Sequence, residues 1–146
     1  MLPEKLAVDA TALISAAIKG RALHIFLEGP IDRFITCTVT FSEAMMMVPA
    51  ICHKRHWPIL EAETILHTLP VEVVDRPHYH SFLREATRRI GGKDRHDVDL
   101  LALALFEQAP IWSDDSDFQS PDVEKAVKVF TTEDLFKQWG KTKHHL

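Results

Sequence analysis

Cysteine is scarce in this 146-residue chain, and the two present, Cys37 and Cys52, have no second thiol two or three residues away. That pattern excludes a CxxC zinc site and a disulfide framework, and it predicts two buried, reduced thiols. Long hydrophobic runs are missing as well. The longest apolar stretches, Ala44 to Ile51 and Leu100 to Phe106, are far shorter than a membrane span, so no transmembrane helix is expected. The N-terminal segment has no extended apolar region ending in a small-residue cleavage site; no signal peptide is read, and a cytoplasmic location is expected. Positive charge is in deficit, with 17 basic against 21 acidic side chains and a formal net charge of -4. This excludes a protein that coats nucleic acid by bulk charge, while leaving room for local basic stripes.

What is present is an ordinary globular composition, 46% hydrophobic and 26% charged. A chain of this length buries roughly 70% of its unfolded surface and needs no covalent or metal staple. One domain over residues 1–140 is expected, with 141–146 as a frayed tail.

Hydrophobic patterning predicts short strands at Leu6–Val8, Phe34–Cys37, Val71–Val74, Ile111–Ser113 and Val127–Phe130. Helical spacing fills the intervals, with runs at Thr11–Ile18, Ala22–Glu28, Phe41–Arg55, Pro58–Thr68, Pro77–Ile90, Asp97–Glu107 and Glu133–Trp139. Thr40 and Glu43 fit a capping box, and Thr132 reads as the cap of the last helix. Strands alternating with helices imply an α/β fold, a three-layer sandwich around a mostly parallel five-stranded sheet. In such sheets the chemistry lies beyond the carboxyl ends of the strands.

Acids stand at those ends. Asp9 follows the first strand, Glu43 opens the helix after the second, Asp97 begins the helix leading into the fourth, and Asp114, Asp115 and Asp117 follow the fourth. Each has a purely structural reading: Asp9 and Asp97 as helix caps, Glu43 as the partner of Thr40, Asp115 and Asp117 as turn residues. Converging carboxylates repel one another and raise each other's pKa unless a cation sits among them. Oxygen ligands without thiols favour a hard ion, Mg²⁺ or Mn²⁺, and phosphodiester hydrolysis is the natural chemistry.

Four segments, LAVDATALISA (6–16), TFSEAM (40–45), DVDLLALAL (97–105) and PIWSDDSDF (110–118), together resemble the PIN-domain family of metal-dependent nucleases, particularly the VapC-type toxin ribonucleases. The resemblance runs over almost the whole chain. It implies catalytic, metal-binding acids at Asp9, Glu43, Asp97 and Asp115, an auxiliary acid at Asp117, and small polar neighbours at Thr11 and Ser113. It further implies an RNA substrate, a cognate antitoxin and a homodimer. Asp99 competes with Asp97, and Asp114 with Asp115, for the ligand positions.

Phosphate contacts are expected from Arg84 and Arg88, four apart on one helical face, and from Lys93 and Arg95 in the segment before Asp97; Lys54, Arg55 and His56 form a second basic patch. The histidines lack zinc-finger or HExxH spacing, and Trp57, Trp112 and Trp139 read as packing residues. A PIN-like module that binds nucleic acid or a partner with weak or no catalysis is the alternative. A phosphoacceptor receiver is disfavoured, because only Asp9 follows the first strand where that class needs an acidic pair. A haloacid-dehalogenase-type phosphatase is disfavoured because Asp9-Ala10-Thr11 lacks the second Asp of DxDxT.

Overall fold

The computed structural model describes residues 2–91 and 95–144, apart from the side chains of residues 95 and 142–144. Five strands, β1 (Lys5–Val8), β2 (Arg33–Cys37), β3 (Val71–Val74), β4 (Ile111–Trp112) and β5 (Val129–Phe130), form one sheet in the order β3-β2-β1-β4-β5. Every pairing is parallel. Parallel neighbours need crossovers, and these are supplied by α1 (Ala10–Ala17), α2 (Arg21–Glu28), α3 (Thr38–Arg55), α4 (Ile59–Thr68), α5 (Arg76–Tyr79), α6 (Leu83–Ile90), α7 (Arg95–Glu107) and α8 (Pro121–Glu124); α9 (Thr132–His144) follows β5.

Alternation along the strands divides the core into two layers. Leu6, Val8, Phe34, Trp112 and Phe130 join Leu13 of α1, Ile25 of α2, Val48 of α3, Leu66 of α4 and Leu135 of α9. Ala7, Ile35, Cys37, Val74 and Ile111 face the other way, onto Tyr79 of α5, Ile90 of α6, Leu101 of α7 and Val123 of α8. Because both faces are covered, β1 and β4 and the buried part of β2 read as continuous apolar runs, while the edge strand β3 carries exposed Glu72. Trp112 is fully buried among Phe26 and Phe34, ring centroids 5.0 and 6.1 Å away, and its Nε1 donates to Thr132 Oγ1 at 3.0 Å. Both cysteines are buried and free. No single helix among the described residues is long and apolar enough to cross a membrane.

Several local expectations are corrected. Thr40 does not cap α3: the helix begins at Thr38, and buried Thr40 bonds Cys37 Sγ at 3.0 Å from within the first turn. The run from Pro77 to Ile90 is not one helix but α5, a 3₁₀ turn (His80–Phe82) and α6. The cap of α9 is Thr131, one residue earlier than expected, in a reciprocal box with Asp134 in which each side chain accepts from the other's backbone N–H at 2.9 and 3.0 Å. That helix runs on to His144, past the expected end at Trp139. At the end of α1 the left-handed residue is Lys19 (φ 57°), not Gly20. Gly20 is there for close approach, since a Cβ would lie 2.5 Å from Ser15 Oγ and 2.8 Å from its carbonyl oxygen.

The strand order places a topological switch between β1 and β4: from β1 the chain moves outward to β2 and β3, then returns to the far side of β1. A crevice opens at such a point beyond the strands' carboxyl ends.

Candidate metal centre

Asp9 leaves the end of β1 with extended backbone and caps α1, its Oδ1 accepting from Ala12 N–H at 2.9 Å. Its Oδ2 accepts from Ser113 Oγ at 2.5 Å, just past β4. The Ser113 hydroxyl in turn accepts from Asp115 N–H at 3.0 Å, so one buried serine couples the orientation of Asp9 to the loop carrying Asp115. Helix capping and membership of the site are therefore not alternatives for Asp9; the cap fixes the carboxylate at the sheet edge.

The other acids arrive from three further elements. Glu43 comes from the second turn of α3, and Asp97 from the first turn of α7, where it is a helical residue rather than a cap. Asp115 opens a 3₁₀ turn (Ser116–Phe118) and accepts from Asp117 N–H at 2.9 Å. Asp9, Glu43, Asp97 and Asp115 line one cavity of about 30 Å³ together with Thr11, Thr40, His96 and Leu100. That volume holds an ion or a water and little else. Oxygens of Asp97, Asp115 and Asp117 lie within 4.8 Å of one another, close enough to share one cation.

Burial has an electrostatic consequence. Asp9 is only 6% exposed, and loss of hydration, with added repulsion from Asp114 and Asp115, pushes its pKa up to about 6 against the hydrogen bonds from Ser113 and Ala12. A divalent cation among these carboxylates would reverse that penalty. The acids offer hard oxygen donors, the His96 imidazole is the nitrogen donor of the wall, and no thiol lines the cavity, Cys37 being bonded to Thr40; the carboxylate set fits Mg²⁺ or Mn²⁺.

The ambiguous acids separate cleanly. Asp99, 3% exposed, accepts from Arg76 Nε and Nη2 at 3.0 and 2.9 Å and from Tyr79 Oη at 2.6 Å. The same bond and burial push the Tyr79 phenol well above its usual range, desolvation being the larger cause. Asp114 accepts from Thr132 N–H at 2.8 Å and Oγ1 at 2.7 Å, tying the loop after β4 to the start of α9. Neither lines the cavity.

Sequence reasoning did not single out two residues of the wall. The pattern around Thr40 points to a cap alone, and no motif marks His96, although its Nδ1 lies 3.4 Å from Glu43 Oε2. The only signal for His96 is its place beside Asp97. Arg84 and Arg88 are exposed on α6 and do not line the cavity. Lys93 and the side chain of Arg95 lie outside the described residues.

A three-layer parallel α/β domain with carboxylates gathered from four elements defines the class: a parallel α/β scaffold with an acidic pocket at its switch point. The PIN domain profile matches residues 7–141, and the chain belongs to the PIN-domain family, a family of nucleases. No curated protein matches it. Among solved structures it is similar to a chain of VapBC2 from Rickettsia felis bound to a DNA fragment from their promoter, at 12% identity and a TM-score of 0.60, covering 87% of this chain and 98% of that one. At that identity the likeness is one of fold.

Proposed function

We propose that this protein is a metal-dependent endoribonuclease, the toxin of a toxin–antitoxin pair. The observation that carries the reading is the convergence of Asp9, Glu43, Asp97 and Asp115 on one ion-sized cavity at the switch point of the sheet. Like charges converging from four separate elements repel one another, and a cation among them removes that repulsion.

Asp9, Glu43, Asp97 and Asp115 would hold Mg²⁺ or Mn²⁺, with Asp117 as auxiliary acid beside Asp97 and Asp115. When bound, the ion supplies activation of water and neutralisation of charge on the phosphate. The chain's own contribution is positional. Ser113 sets the rotamer of Asp9 and anchors the Asp115 backbone; Thr11, the second residue of α1, offers a small polar wall to the reacting phosphate; His96 steadies Glu43. Water attacks phosphorus in line and the 3′ oxygen leaves. Arg84, Arg88, Lys93 and Arg95 are proposed to take flanking phosphates. The VapBC2 likeness supports an antitoxin partner for this chain, and a homodimer in the cytoplasm completes the reading.

The test is cleavage of a pool of end-labelled RNAs by the wild type and Asp9→Asn, with Mg²⁺, Mn²⁺ or excess chelator. Cleavage by the wild type with metal, and none by the variant or in chelator, is the expected result. Equal cutting by Asp9→Asn would sink the assignment; metal binding without cleavage of any RNA would favour a binding module.

A further inference from the structure

A second cleft begins where the acidic cavity ends. Thr11 lines both. From there a groove of about 440 Å³ runs between α1 and α3, a volume within the usual range of ligand sites. Its walls are two helical stripes. From α1 and its C-cap come Thr11, Ile14, Ser15 and Ile18; on α3 the stripe starts with Glu43 in the cavity and continues at Met47, Ile51 and then Lys54 and Arg55. Spacings of three and four put each set on one helix face. One α3 face therefore carries carboxylate at the catalytic end and cations about 18 Å away, by the rise of twelve helical residues.

Those cations are available. Lys54 and Arg55 are exposed and make no ion pair among the described residues, whereas Lys19 at the same end is held by Glu61. In a chain of net charge -4, two unengaged cations at the end of a cleft that opens on the cavity are a local exception to the overall charge. The floor between is apolar apart from Ser15, and adaptable, with Met47 43% exposed. A polyanion with apolar faces matches this sequence of surfaces: phosphate at the cation-loaded cavity, bases over Met47 and Ile51, phosphate again at Lys54 and Arg55.

We infer that the α1/α3 groove holds the RNA single strand on one side of the scissile phosphate, with Lys54 and Arg55 as its phosphate anchors. This rests on the nuclease reading above. The groove has no aromatic platform, and its only polar side chains short of the cations are the small hydroxyls of Thr11 and Ser15, so it positions the strand with little selection of its sequence.

The experiment is steady-state cleavage of a quenched-fluorophore single-stranded RNA of random sequence in Mg²⁺, across a salt series. Wild type is compared with Lys54→Ala/Arg55→Ala and with Lys125→Ala/Lys128→Ala, a charge-matched control in the segment between α8 and β5, the edge strand opposite β3. Losing two phosphate contacts should flatten the slope of log(kcat/KM) against log salt by about 1.4 and raise KM roughly twentyfold at 0.1 M salt, kcat holding, because the lost interaction is equal in ground and transition states. The control should keep the wild-type slope, and all three proteins should melt alike. An active wild type with unchanged KM and slope in Lys54→Ala/Arg55→Ala overturns the groove assignment alone and leaves the cleft to a protein segment. A wild type that cuts no RNA in the pool overturns the nuclease reading and this inference with it.

Discussion

Replacing Asp9 by Asn should stabilise the metal-free protein at neutral pH. The carboxyl is pushed from 3.8 to about 6 by burial, so ionising it in the folded state costs about 3 kcal/mol more than in the unfolded chain. The sign follows from proton counts. Between about pH 4 and 6 the unfolded chain has released the Asp9 proton while the folded one keeps it, so this group's contribution to stability is whole below 3.8 and is lost as pH rises through about 6. Asparagine keeps the acceptor for Ala12 N–H but leaves the Ser113 hydroxyl without its carboxylate, at a cost of about 1 kcal/mol. The net gain is about 2 kcal/mol at pH 8, which for a domain of this size raises Tm by roughly 4–8 °C. Differential scanning calorimetry in excess chelator at pH 4.5 and pH 8 reads both ends: the gain should be present at pH 8 and vanish, or turn to a small loss, at pH 4.5. A variant no more stable than wild type at pH 8 would refute the claim that burial of this carboxylate strains the apo fold.

Three further outcomes follow from the same geometry. Mg²⁺ at a hundredfold its dissociation constant should stabilise the wild type by about 2.7 kcal/mol, seen as a rise in Tm, and Asp97→Asn should abolish most of that rise if the cavity acids hold the ion. Arg76→Ala should destabilise by about 2 kcal/mol in urea unfolding, less than a fully buried pair would lose because the guanidinium is half exposed, while Asp99 beneath it keeps only Tyr79. Gly20→Ala should cost about 1–3 kcal/mol, since the new Cβ meets Ser15 backbone and hydroxyl at under 3 Å; a neutral result in the same urea assay would show that the turn yields.

Much of the fold was legible because the signals are local. Apolar runs of strand length bounded by helical spacing predicted all five strands and their parallel arrangement, and Asp9 at the end of β1 announced itself by position alone. Helix starts were less legible. Thr40-x-x-Glu43 satisfies a capping pattern, but the partnership of Thr40 with Cys37 draws the helix start back to Thr38, and Glu43 is turned into the cavity instead of onto the backbone. Thr132 and Thr131 offer equivalent hydroxyls, and only the demand of Trp112 and Asp114 for Thr132 decides which one caps α9.

By itself the sequence determined the layer architecture, the set of acids and the strand ends at which they stand, since periodicity and turn chemistry act over a few residues. Tertiary structure decided which acid does what. Asp97 and Asp99 are two residues apart on a helix and so point to different sides; α5 supplies Arg76 and Tyr79 to one side, and the cavity lies on the other. Asp114 and Asp115 are neighbours in a loop, and the start of α9 claims the first and frees the second for the cavity. Carboxylates are interchangeable in sequence, and the partner that reaches them across the fold is what gives each its role.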